Sequence, residues 1–174
     1  MDKNENFTQD THKRGFLVTV GDKPPVGDNT TIMLYMVTLA ALKEHTPTAY
    51  FSPILSNVGV VNRLISIVTG IDRRAIEAGT LDLEQWKVFD QQLPHLLESP
   101  LYVDDTPEVS VNELTEKIHG VVMKHGVRLV VIDPVNAVSS EESFDTDQER
   151  IEHVTGCMKT LAEDLGITIF VVEQ

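Results

Sequence analysis

The chain has 174 residues, 41% of them apolar and 24% charged, which is typical of one globular domain that can bury a hydrophobic core. Its 27 acidic residues outnumber its 14 basic residues and give a formal net charge of −13. Because affinity for nucleic acid depends largely on Lys and Arg side chains that neutralise phosphates, we expect DNA binding by the isolated acidic domain to be weak or absent.

Membrane and secreted classes of protein are also disfavoured. The apolar runs are much shorter than the roughly 18 residues that span a bilayer. Residues 1–14 are polar and mixed in charge, so they predict a flexible N-terminal tail rather than a secretory signal. The single cysteine, Cys157, excludes an internal disulfide and suits a reducing compartment. The expected location is the cytoplasm.

Short apolar segments alternate with helical segments from residue 15 onward. The predicted strands cover about 15–21, 48–53, 101–103, 128–133 and 167–172, and several lack polar alternation, as strands covered on both faces do. The predicted helices cover 30–44, 57–69, 72–78, 82–97, 110–125 and 146–165. This alternation predicts an α/β fold, with a mainly parallel sheet of about five strands flanked by helices on both faces, in a single domain over 15–174.

The segment between the first strand and the first helix resembles a phosphate-binding loop, and it reads "KPPVGDNTT" over residues 23–31. Such loops cradle phosphates with backbone N–H groups at a helix N-terminus, while a Lys contacts the phosphates and a Ser or Thr holds Mg²⁺. Gly27 is placed to form the turn, and Thr30 and Thr31 supply hydroxyl groups.

The lysine of such a loop is missing from this chain. Asp28 takes its place in an ungapped alignment, and Asn29 does so if one residue is inserted; the gapped alignment keeps the helix phase better and is preferred. A carboxylate 4 Å from a phosphate charge costs about 4 kcal/mol at a surface-like dielectric. The lost charge-assisted hydrogen bond adds about 1.5–3 kcal/mol. Any binding of Mg-ATP is therefore expected to be weak.

A second candidate element is "RLVVIDP", residues 128–134. An apolar strand that ends in a carboxylate is typical of a Walker B element, which positions Mg²⁺ beside bound phosphates. Asp133 before Pro134 is equally compatible with a simple turn. The acidic, serine-rich stretch 136–147 that follows predicts a long loop over the carboxyl edge of the sheet, where ligands bind in open α/β folds.

Two longer blocks are similar to the C-terminal, RecA-like motor domain of DnaB-type replicative DNA helicases. They are "RLISIVTGIDRRAIEAGTLDLEQWKVF" (63–89) and "SPLYVDDTPEVSVNELTEKIHGVVMKHGVRLVVID" (99–133), and the resemblance extends over residues 15–174. It implies a RecA-like P-loop NTPase fold. For an intact member it also implies ring hexamers, in which ATP bound between neighbouring subunits drives translocation on single-stranded DNA.

The resemblance also assigns roles to individual residues. It implies that Gly27 is the loop glycine, that Thr30 or Thr31 carries the Mg²⁺-binding hydroxyl, and that Gln174 senses phosphate. With the Walker B carboxylate, the implied nucleotide site is Gly27, Asn29, Thr30, Thr31, Asp133 and Gln174. Thr30 and Asp133 would hold Mg²⁺ only if a nucleotide binds. The histidines show no ligand spacing, so no other metal site is expected.

The chain departs from the family at the positions that carry catalysis. The loop lysine is absent, and the stretch where the family has its catalytic glutamate reads "SPILS", residues 52–56. Because the sequence runs only to Gln174, we expect the domain to lack the segment that supplies the family's arginine finger, and also the family's N-terminal domain and linker helix. The loop that faces DNA in the family is acidic here. No residue is expected to be an intact catalytic residue.

These features predict that the chain is a degenerate DnaB-like domain. It would be a pseudo-ATPase that serves as a binding or assembly module related to DNA replication. Its expected partners are a second copy of itself or a replicative helicase subunit. An alternative is an ATPase or helicase subunit with weak or conditional ATP binding, completed by a partner chain. A third is a decayed fragment of a mobile-element helicase.

Overall fold

The computed structural model describes residues 15–21 and 28–174. The predicted tail, 1–14, and the loop glycine Gly27 lie outside these residues. The strands are β1 (Phe16–Val20), β2 (Thr48–Phe51), β3 (Leu101–Asp104), β4 (Leu129–Ile132) and β5 (Thr168–Val172). The α-helices are α1 (Asn29–Thr38), α2 (Asn57–Thr69), α3 (Arg73–Ala78), α4 (Leu83–Leu97), α5 (Val111–His125) and α6 (Asp147–Leu165).

The five strands form one parallel sheet in the order β1-β5-β4-β2-β3. Because all strands point the same way, their carboxyl ends meet at one edge. The predicted α/β fold with a parallel sheet is confirmed, and the predicted strand boundaries differ from the observed ones by one or two residues.

The core lies on both faces of the sheet. Successive residues of β4 point to opposite faces, so Val130 and Ile132 pack with α5 and α6, whereas Val131 packs with α1, α2 and α4. All four residues of β4 are buried. This double coverage explains why the strand has no polar alternation.

The first helix differs from its prediction, which was one helix over 30–44. The α-helix ends at Thr38, and Leu39–Lys43 form a wider turn in which the N–H of Glu44 donates to the carbonyl of Leu39 at 3.1 Å. At the junction, the Thr38 hydroxyl donates to the carbonyl of Leu34 at 2.8 Å.

The stretch predicted as a long loop is partly ordered by contacts. It begins with a short helical turn, Val135–Ala137. The backbone of Ser139 then donates to the carbonyl of Val109 and accepts from the N–H of Val111, at the start of α5. The Arg150 guanidinium donates to the carbonyls of Val138 and Asn136. These contacts fix Asn136 beside the carboxyl edge of the sheet. In the part of the chain that the structure describes, no helix is long and apolar enough to cross a membrane.

Candidate functional site

The candidate site lies where β1, β4 and β5 end and α1 begins, which is the edge at which parallel α/β sheets bind ligands. It contains a cavity of about 690 Å³, a volume in the range of small-molecule sites. The side chains that line it and matter for its chemistry are Asp28, Asn29, Thr30, Arg63, Asn136 and Gln174.

A hydrogen-bonded network joins three of the predicted site residues. Asp133 follows the buried strand β4 and is only 3% exposed. The Gln174 side-chain amide donates to Oδ1 of Asp133 and to the hydroxyl oxygen of Thr30, both at 2.9 Å. The backbone N–H of Gln174 donates to the Asn136 side chain at 2.9 Å, which fixes Gln174 two residues after the end of β5.

Tyr50 completes this network from β2. Its hydroxyl donates to Oδ2 of Asp133 at 2.5 Å, so both carboxylate oxygens accept a hydrogen bond. Burial of the phenol, and then the Asp133 charge beside it, raise the pKa of Tyr50 far above its ordinary value. The hydroxyl therefore remains protonated and remains a donor. Sequence reasoning missed Tyr50, because a tyrosine in a short apolar run indicates only a strand.

The N-terminus of α1 is capped by Asp28, whose carboxylate accepts a hydrogen bond from the N–H of Thr31 at 2.7 Å. Its second oxygen lies 3.6 Å from the guanidinium of Arg63 on α2. Partial burial raises the pKa of Asp28, but the hydrogen bonds from Thr31 and the Arg63 charge outweigh it and lower the pKa below its ordinary value. Asp28 is thus an ionised helix cap.

Asn29 is the first residue of α1, and its side-chain amide contacts backbone rather than another side chain. The amide donates to the carbonyls of Gly21, after β1, and Glu173, after β5, at 3.3 and 3.4 Å. It therefore ties the start of α1 to the ends of two neighbouring strands. Asn29 is buried, as is Thr30 beside it.

The structure places Asn29, Thr30, Asp133 and Gln174 at the same edge of the sheet. The two candidate hydroxyls separate: Thr30 contacts Gln174, whereas Thr31 lines a neighbouring cleft between α1 and α2. Ile54, in the stretch where the family has a glutamate, is 70% exposed and is apolar, so it supplies no base. Arg63 is the second residue that sequence reasoning missed, because its spacing within α2 indicates only a helix.

The residues fit a magnesium ion that arrives with phosphates. A hydroxyl oxygen on Thr30 and a carboxylate on Asp133 are the hard oxygen ligands that Mg²⁺ prefers, and Mg²⁺ sites commonly include substrate phosphates. Within residues 15–21 and 28–174, no three His, Cys, Asp or Glu side chains group as a metal site of their own.

Comparison with known proteins assigns the family. The family model described as the DnaB-like helicase C terminal domain matches residues 5–174. The chain belongs to this family. This DnaB-like domain is 29% identical over 171 residues to the replicative DNA helicase DnaB of Helicobacter pylori, a match that covers 98% of the chain and 34% of the relative. It is 24% identical over 160 residues to the replicative DNA helicase DnaB of Leifsonia xyli, covering 92% and 35%.

Solved structures support the same fold. The DnaB-like domain superposes on a solved structure described as an ATPase domain with a TM-score of 0.82 and 20% identity, over 94% of this chain and 58% of that one. A structure of a DnaB-like replicative helicase and its interactions with primase gives a TM-score of 0.79 at 19% identity, over 94% and 39%. The fold is therefore RecA-like. The DnaB-like domain spans about a third of the length of the two helicases compared above.

Proposed function

We propose that this DnaB-like domain is a pseudo-ATPase that acts as a binding or assembly module in DNA replication. The proposal rests on the residue that caps the N-terminus of α1 at the site. Asp28 caps α1 with a carboxylate at the place where phosphate-binding loops present positive charge. In this proposal, the described residues form one RecA-like domain. The protein is expected in the cytoplasm.

We infer loss of hydrolysis from the residue that stands where the family has its catalytic glutamate. ATP hydrolysis needs a residue that positions or activates water, and the exposed, apolar Ile54 stands in the stretch where the family has its glutamate. Thr30 and Asp133 would hold Mg²⁺ if a nucleotide binds, and Gln174 would contact its phosphates. The magnesium would neutralise phosphate charge, but the apolar side chain of Ile54 cannot take a proton from water.

The partners follow from the family and from charge. We propose that the domain associates with itself or with a subunit of a replicative helicase. Because the chain carries a formal net charge of −13, single-stranded DNA is a poor ligand for the isolated domain. Protein contacts do not need a basic surface, so an assembly role is compatible with this charge.

Light scattering after size exclusion tests the assembly role. We expect the chain to elute as an oligomer at micromolar concentration, or to co-elute with a full-length DnaB-type helicase when the two are mixed. Bovine serum albumin, which is also acidic, serves as the control for nonspecific association. A monomeric chain that co-elutes with neither would contradict the proposal.

A second candidate function is an ATPase that is completed by a partner chain. The retained Thr30–Gln174–Asp133 network favours it, because these groups suit Mg²⁺ and phosphate. A DnaB-type helicase whose loop lysine has been replaced is the appropriate partner for the test. Restored ATP turnover on mixing with this chain, lost again in its Asp133→Asn variant, would favour the second function over the first.

A further inference from the structure

The site holds a positive charge that the sequence alignment does not reveal. In the described part of the cavity lining, Arg63 is the one basic residue, against the acidic Asp28 and Glu173. Its guanidinium lies 3.6 Å from the Asp28 carboxylate. The cavity wall therefore contains a cation close to the position from which the loop lysine is missing, and a carboxylate that pairs with it.

Arg63 lies on a packed helix, whereas Asp28 is the more exposed partner of the pair. Arg63 projects from the middle of α2, whose neighbouring residues Val60 and Leu64 are fully buried in the core. The Arg63 side chain is 23% exposed, but that of Asp28 is 56% exposed. An incoming anion would thus meet a cation anchored on a packed helix, and Asp28 would be the partner displaced towards solvent.

The field of Arg63 also reaches the rest of the site. Its charge acts on the Tyr50 hydroxyl, which is bonded to Asp133, and opposes the rise in the pKa of that phenol. Arg63 pairs with Asp28 and lines the same cavity as Thr30 and Gln174, as well as the neighbouring cleft. An anion in this cavity would therefore lie near both the guanidinium and the Thr30 hydroxyl.

We propose that Arg63 is the phosphate-binding cation of this site, and that a Mg²⁺-bound polyphosphate binds by displacing the Asp28 carboxylate from it. The inference rests on the proposed function and deepens it, because it names the ligand class of a site that binds without hydrolysis. Guanidinium suits this role, since it binds phosphate oxygens with two parallel hydrogen bonds. The Asp28 carboxylate takes the place of an anion until the ligand arrives.

The ligand chemistry is a chain of phosphates with magnesium, as found in nucleoside triphosphates and in inorganic polyphosphate. Asn29, Thr30 and Gln174 offer polar groups beside Arg63, and the cavity of about 690 Å³ accommodates a nucleotide. Inorganic tripolyphosphate and ATP, each with Mg²⁺, are therefore the two probes. Tighter binding of ATP would identify the nucleoside as part of the ligand, and equal binding would identify polyphosphate.

Isothermal titration calorimetry with these probes tests the inference directly. Asp28→Asn removes the competing charge but keeps a good helix cap, since Asn and Asp cap equally well. We expect it to bind Mg-ATP or Mg-tripolyphosphate at least about ten-fold more tightly than the natural chain. Arg63→Gln is expected to weaken binding at least about ten-fold, and Arg63→Lys to restore part of the affinity.

Arg73→Ala is the matched control, because it removes an arginine that lines the neighbouring cleft and pairs with Glu77. Its affinity should stay within about two-fold of the natural chain, and circular dichroism should show that every variant is folded. Equal affinities of the natural chain, Asp28→Asn and Arg63→Gln for the probes would overturn the inference. It would also be overturned if none of these three proteins bound either probe at millimolar concentration. Neither of these two results would test the assembly role. Hydrolysis of the bound ATP by the natural chain would contradict the proposed pseudo-ATPase function but would leave the role of Arg63 in binding intact.

Discussion

Replacing Asp133 with alanine is expected to lower the free energy of unfolding by about 2 kcal/mol. The substitution removes a buried acceptor and leaves two donors, the Tyr50 hydroxyl and the Gln174 amide, without this partner. A buried donor that loses its acceptor costs about 1–3 kcal/mol, and this cost applies to the Tyr50 hydroxyl, which is buried. Urea unfolding followed by circular dichroism measures the effect.

Two further variants separate this network from a general effect of charge. Asp90→Ala, at an exposed position of α4, should change stability by less than about 0.5 kcal/mol. In a double-mutant cycle, Tyr50→Phe and Asp133→Ala should be coupled by about 0.5–3 kcal/mol, because their side chains are in direct contact. An Asp133→Ala protein as stable as the natural chain would show that the network does not hold the site together.

Alkaline pH should destabilise the natural chain more steeply than its Tyr50→Phe variant. The pKa of Tyr50 is raised in the folded state, whereas in the unfolded chain it returns to about 10. Below pH ~10 both states hold the proton; above it the unfolded state binds fewer protons, so stability falls as the pH rises. The slope attributable to Tyr50 approaches about 1.4 kcal/mol per pH unit.

The measurement is the urea midpoint as a function of pH from neutral to strongly alkaline conditions. Tyr35→Phe, which changes an exposed tyrosine on α1, is the matched control and should follow the curve of the natural chain. The slope difference should be present in Tyr50→Phe alone. Curves that run parallel for the natural chain and Tyr50→Phe would mean that the Tyr50 phenol ionises equally easily in the folded and unfolded states.

Local sequence patterns were sufficient to predict the α/β class and the mainly parallel sheet, whereas the RecA-like fold was predicted from the family resemblance. Buried strands such as β4 form continuous apolar runs, and helix caps such as Ser110 and Thr146 stand before predicted helices, so the elements could be placed within a few residues. Because alternating strands and helices indicate a parallel sheet, Asp133 and Gln174, which come after β4 and β5, were expected at the same edge of the sheet. The wider turn after Thr38 was not predictable, because the sequence of Leu39–Lys43 continues the apolar helical pattern of α1.

The site was only partly predictable, for a physical reason. Tyr50 and Asp133 are separated by 83 residues along the chain, and their contact depends on the packing of β2 beside β4. Asp28 and Arg63 likewise meet only because α2 packs against α1. Sequence reasoning treated Asp28 as a charge that repels phosphate, whereas the folded chain also uses it as a helix cap paired with a cation.

Phosphate release from Mg-ATP, measured with and without single-stranded DNA, tests most directly whether this DnaB-like domain has lost hydrolysis. Asp133→Asn is the matched control, because it preserves the size of the side chain but removes the carboxylate beside Thr30 and Gln174. We predict that the natural chain releases phosphate no faster than this variant under either condition. Turnover by the natural chain that disappears in Asp133→Asn would contradict the pseudo-ATPase assignment and establish a working catalytic site.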